Sequence, residues 1–78
     1  MFEKLKLKKE IKKCQKTIEE IERKRARSQA ALVQAVLLQE ETNEADVEWF
    51  NKYTGEITAC RNRMIDLQKK LRELKGNN

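Results

Sequence analysis

Apolar residues recur through the first half of the chain at alternating spacings of four and three residues. The stripe that they form is mostly small or apolar and comprises Leu7, Ile11, Cys14, Ile18, Ile21, Arg25, Ser28, Leu32 and Ala35. It extends back to Lys4 and forward to Gln39. A 3.5-residue repeat of this length is typical of a left-handed coiled coil, so we predict a first helix over about residues 3–41.

The second half of the chain carries a stripe of the same period with no charged member. Its positions are Phe50, Tyr53, Ile57, Cys60, Met64, Leu67, Leu71 and Leu74. This pattern predicts a second helix over about residues 45–75, with 76–78 as a frayed tail.

A polar, acidic segment separates the two stripes and is the predicted turn, at about residues 42–44. Asn43 is a suitable helix N-cap, and Glu44 and Asp46 would place carboxylates in the first turn of the second helix, where the helix dipole favours them. An alternative turn lies at residues 51–55, which are also frequent turn formers. The stripe continues in phase across Gly55, which favours one helix there, either straight or kinked at the glycine.

Folding the two stripes back on each other about residue 43 predicts an all-α fold, a long antiparallel two-helix coiled-coil hairpin formed by residues 1–78. The predicted facing pairs are Cys14 with Leu74, Ile18 with Leu71, Ile21 with Leu67, Arg25 with Met64, Leu32 with Ile57, and Ala35 with Tyr53. This register would separate Cys14 and Cys60 by about 20 Å along the rod, at 1.5 Å per residue. It therefore predicts that no disulfide joins them within one chain.

Several apolar residues near the turn lie off the two stripes, and together with the stripe member Phe50 they form a set that we call the turn-end patch. It comprises Val33, Val36, Leu37, Val47, Trp49 and Phe50. Because a helix that is apolar on several sides is usually buried on several sides, the patch predicts a homodimer in the form of a four-helix bundle. The alternatives are a higher oligomer, a different protein partner, or a monomer that leaves the patch exposed.

The composition argues against catalysis. The chain has 78 residues, no His and no Pro, and 40% of its residues are charged. Without His, the commonest general base and metal ligand is missing, and a two-helix rod offers no concave site of the usual size. We therefore predict a protein that is not an enzyme and that binds no cofactor or metal.

Charge is unevenly distributed along the chain, although the formal net charge is only +5. Residues 1–29 carry 11 basic and 5 acidic residues, residues 30–60 carry 1 and 6, and residues 61–78 carry 6 and 2. The hairpin should thus have an acidic turn end and a basic open end. Possible contacts for an anionic partner are Lys12, Lys13, Lys16, Arg23, Lys24, Arg25 and Arg27. The simpler interpretation is a solvated face that keeps a coiled coil dissolved.

These patterns predict a self-associating adaptor, assembly or interaction module. The alternative function is a small basic accessory protein that binds nucleic acid non-specifically through its basic end. The N-terminal segment lacks the apolar core of a signal peptide, and no apolar run approaches the ~20 residues that span a bilayer. We therefore expect a cytoplasmic protein for which membrane contact is not the main role.

Overall fold

Two long helices packed side by side make up the computed structural model, which describes residues 2–76. Helix α1 spans Phe2–Leu37 and helix α2 spans Glu44–Gly76, and residues 38–43 form the loop between them. The rod measures 60 × 16 × 14 Å. The predicted all-α antiparallel hairpin is confirmed. Of the predicted tail, Gly76 is the last residue of α2, whereas 77 and 78 lie outside the described residues.

The two predicted stripes form the contact between the helices. Their members from Lys4 to Ala35 in α1 and from Phe50 to Leu74 in α2 are buried or half-buried. Ile57 lies at the centre with 1% of its surface exposed, and it packs with Ile18 and Ile21. Since burying one such side chain is worth about 1.5–3 kcal/mol, this seam supplies most of the apolar stabilisation available to two helices.

Helix α1 ends at Leu37, so the predicted end at residue 41 is wrong. Gln39 adopts a φ of 57°, in the left-handed region. Its N–H donates to the carbonyl oxygen of Val36 at 3.1 Å, and the N–H of Glu40 donates to that of Ala35 at 2.8 Å. This pair of bonds is a Schellman C-cap, formed without the usual glycine. It also ends α1 before Glu40, whose carboxylate would be unfavourable near the negative end of the helix dipole.

Helix α2 begins as the sequence predicts. The Asn43 side-chain oxygen accepts a hydrogen bond from the Ala45 N–H at 2.9 Å, and the Asn43 carbonyl oxygen accepts one from the Asp46 N–H at 3.0 Å. Asn43 is therefore the N-cap, with the acidic residues Glu44 and Asp46 in the first turn.

The alternative turn at residues 51–55 is wrong, because α2 continues through it. The Thr54 hydroxyl donates to the Phe50 carbonyl oxygen, and the Thr58 hydroxyl to the Thr54 carbonyl oxygen, both at 2.9 Å. These bonds to the preceding turn occupy two hydroxyls that could otherwise compete with the helix backbone. Gly55 sits between them on the exposed side of α2.

The register of the hairpin differs from the predicted one. Arg25 contacts Thr54 and Phe50, which lie ten or more residues before its predicted partner Met64. Ile57 likewise packs with Ile18 and Ile21 instead of Leu32. The predicted pairs are therefore wrong, although the stripes are right. The physical reason is the earlier end of α1, which moves the reversal toward the N-terminus and shifts every partner in α2 with it.

The new register also changes the relation between the two cysteines. Cys14 and Cys60 line the same cavity between the helices, together with Thr17, Lys13, Glu10 and Arg63. The predicted separation of about 20 Å along the rod is therefore wrong, because it was derived from the wrong pairs. Both thiols are free, with Cys14 buried and Cys60 half-buried.

Candidate interaction surface at the turn end

Most of the turn-end patch is exposed on the hairpin. Val36 and Leu37 have 67% and 77% of their surface exposed, and Val33, Val47 and Trp49 are also exposed. These residues lie in the last turns of α1 and the first turns of α2, so the hairpin brings them to one end of the rod. Most of the large apolar residues that are exposed in residues 2–76 therefore lie near the turn, whereas Phe2, Leu5 and Ile65 are exposed elsewhere.

Leu38 is an exposed apolar residue next to the patch that the sequence prediction left out. It was assigned to the interior of a longer helix, whereas it begins the loop. The signal was present in the sequence, since residues 30–38 form the longest apolar stretch, interrupted by Gln34.

Trp49 is supported by its own helix. Its ring stacks on Tyr53, with the centroids 5.5 Å apart and the planes 22° from parallel. The Lys52 ammonium lies 5.0 Å from the Trp49 ring centroid, in a cation–π arrangement. Trp49 is still 46% exposed, so part of its indole ring remains available for contact with a partner.

Phe50 is the member of the patch that faces into the hairpin, where it is half-buried. The Arg25 guanidinium carbon lies 5.9 Å from the Phe50 ring centroid, and Arg25 Nη1 donates to the Thr54 hydroxyl oxygen at 3.5 Å. Arg25 thus bridges the two helices. It differs in this respect from the other candidate anion contacts, which are exposed.

A shallow groove runs along the outer side of α1 toward the turn, with a volume of about 380 Å³. Its lining residues are Ala26, Gln29, Ala30, Val33, Gln34 and Leu37. Ala26 also borders the next depression toward the open end, which Arg23 lines. Glu19 and Glu22 line this depression as well, and Ala26 joins it to the groove that leads to the patch.

The basic surface lies further along α1. Lys12, Lys13 and Lys16 border one open depression, together with Lys9, Gln15 and Glu19. Arg23, Lys24 and Arg27 are exposed nearer the turn. Among the described residues, one ion pair is formed, between Arg61 Nη2 and Glu22 Oε1, which lie 2.8 Å apart. The candidate cations other than Arg25 therefore project into solvent.

Within residues 2–76, no group of three or more His, Cys, Asp or Glu side chains is placed to hold a metal ion. Neither α1 nor α2, over the same residues, contains a stretch apolar and long enough to traverse a bilayer.

No protein-family model, curated protein or solved structure matches the chain significantly. The class of the protein therefore follows from its fold alone, as an antiparallel two-helix hairpin with an exposed apolar turn end.

Proposed function

We propose that the protein is a non-enzymatic adaptor or assembly module that self-associates through its turn-end patch into a dimeric four-helix bundle. The observation that carries this proposal is the exposure of Val36 and Leu37 at 67% and 77%, beside other exposed apolar residues at one end of the rod. These side chains lie off the seam between α1 and α2 and face solvent on the hairpin. We place the protein in the cytoplasm, which cell fractionation would test.

Gathering apolar residues at one end supports an interface more than scattered exposure does. Single exposed apolar residues are normal on protein surfaces, whereas contiguous patches mark interaction sites. A two-fold symmetric dimer would bring the same patch from both copies together and cover it twice. Helices packed in this way give the four-helix bundle, a common solution for apolar faces that two helices cannot cover.

The proposal is tested by placing a charge in the patch without disturbing the seam. Val33→Lys should weaken the dimer at least tenfold, because it buries an ammonium group in an apolar interface. Ile65→Lys is the matched control, since Ile65 is a β-branched residue in α2, 55% exposed and outside the patch. The dissociation constants would be measured by sedimentation equilibrium, and helicity by circular dichroism.

Equal dimer affinity in the Val33→Lys and Ile65→Lys variants, with helicity retained in both, would rule out the turn-end patch as the interface. A larger loss in the Ile65→Lys variant would place the interface further toward the open end.

The second candidate function is non-specific nucleic-acid binding, favoured by the exposed lysines that border one depression on α1. Binding should fall steeply with salt because it would rest on phosphate contacts. A gel shift with double-stranded DNA at low and moderate salt tests it. The matched variant is Lys12→Glu with Lys13→Glu and Lys16→Glu, which reverses the charge of this depression, leaves Arg25 and its contacts to α2 intact, and should abolish the shift. No shift of wild-type protein at low salt would remove this function.

A further inference from the structure

The outer side of α1 carries a second regular stripe, distinct from the seam. Arg23, Ala26, Ala30, Val33 and Leu37 follow one another at spacings of three, four, three and four residues. This outer stripe forms the shallow groove and the depression next to it. Its period is that of a helix packing seam, which means that a second straight helix could lie along it.

The charges at the two ends of the outer stripe are opposite. Arg23 is the cationic end, and Glu40 and Glu41 follow Leu37 in the exposed loop. Glu22, the acidic neighbour of Arg23, is paired with Arg61 at 2.8 Å. Glu19 also borders the depression that Arg23 lines, but the exposed Lys24 and Arg27 follow and make this part of α1 cationic. The apolar stretch thus runs from a cationic segment to two negative charges.

Two copies of the outer stripe are complementary to each other when they run in opposite directions. If a second copy of the stripe lies antiparallel, the small Ala26 meets the large Leu37 of the partner subunit. Ala30 meets Val33 of the partner subunit, and the two-fold axis passes between these positions. Arg23 then lies beside Glu40 and Glu41 of the partner subunit, and each pairing occurs twice by symmetry.

We propose that two copies pair through their outer stripes, with the two α1 helices antiparallel at the centre of the dimer and Arg23 against the partner's acidic loop. This proposal rests on the proposed self-association and deepens it, because it assigns the contact to α1 and to two members of the turn-end patch, Val33 and Leu37. Small side chains at Ala26 and Ala30 let the helix axes approach closely, and the charge pairs fix the direction. A parallel pairing would instead place like charges together at both ends, which is unfavourable.

Charge exchange between the two ends tests this geometry. Arg23→Glu should raise the dissociation constant of the dimer about tenfold, because two attractions become two repulsions. Adding Glu40→Lys and Glu41→Lys to Arg23→Glu should restore the affinity, since the exchanged charges again face each other. Lys69→Glu is the control, because it changes the net charge equally on the exposed surface of α2. Sedimentation equilibrium at low salt gives each constant.

Restoration by the triple variant, with little effect of Lys69→Glu, supports the antiparallel pairing. Equal weakening by Arg23→Glu and Lys69→Glu would show that only net charge matters and would overturn it. So would a dimer unaffected by Arg23→Glu, or one that the triple variant does not restore. Each of these outcomes is compatible with self-association through another surface, whereas a monomeric wild-type chain would contradict the proposed function itself.

Discussion

Gln39 is the residue at which the chain leaves α1. It holds a φ of 57°, which costs an L-residue with a side chain about 1–2 kcal/mol relative to glycine. The two Schellman hydrogen bonds compensate for this cost by satisfying carbonyls at the helix end. Sequence reasoning missed this helix end because the usual signals, glycine at the cap or a following proline, are both missing there.

Replacing Gln39 by glycine should therefore stabilise the protein. Gln39→Gly should raise the free energy of unfolding by about 1 kcal/mol, because glycine adopts positive φ without steric cost. Gln34→Gly, at an exposed position inside α1, is the matched control and should lower it by about 0.5–1 kcal/mol. Urea unfolding at one fixed chain concentration would measure both. Destabilisation of the same size in the two variants would contradict the left-handed conformation of Gln39.

Gly55 is the opposite case, a glycine at a position that does not need one. It lies inside α2, and a Cβ added there would meet no atom within 4 Å. Gly55→Ala should raise the free energy of unfolding by about 1 kcal/mol, the difference in helix propensity between the two residues. A turn at residues 51–55 would predict a loss of stability instead. The same urea titration distinguishes the two outcomes.

At the scale of the helices, the seven-residue repeat allowed the two stripes to be predicted but not their alignment. Sliding one stripe by a heptad again brings apolar positions together, so the pattern fits several registers. The choice depends on where α1 ends, and that end is set by Gln39. Contacts across the seam, such as Arg25 with Thr54, could not be predicted for the same reason.

The register can be tested with the two native cysteines. Because Cys14 and Cys60 line one cavity, a short bismaleimide should join them within one chain. The product should keep the mass of a single chain on a denaturing gel, and mass spectrometry should identify the joined peptides. Cys60→Ala is the control and should give only singly modified chains. Single modification of both thiols without an intrachain link would favour the register derived from residue spacing alone.

For the whole molecule, the sequence predicted the exposed turn-end patch through the excess of apolar residues around residues 30–38 and 47–50. It also predicted the separation of charge, with an acidic turn and basic arms. The structure was needed to place individual residues in and beside the turn-end patch. Phe50, which the sequence placed on the α2 stripe, contacts Arg25 of α1, and Leu38 belongs to the exposed end. Both assignments depend on the position of the loop.

Self-association is the central claim, and the mass of the wild-type chain in solution tests it most directly. Sedimentation equilibrium over a wide range of concentrations should show a transition from the 9.3 kDa of one chain to twice that mass. The dimer should be favoured as concentration rises, as mass action requires. A mass that stays at 9.3 kDa up to the highest attainable concentration would contradict the account.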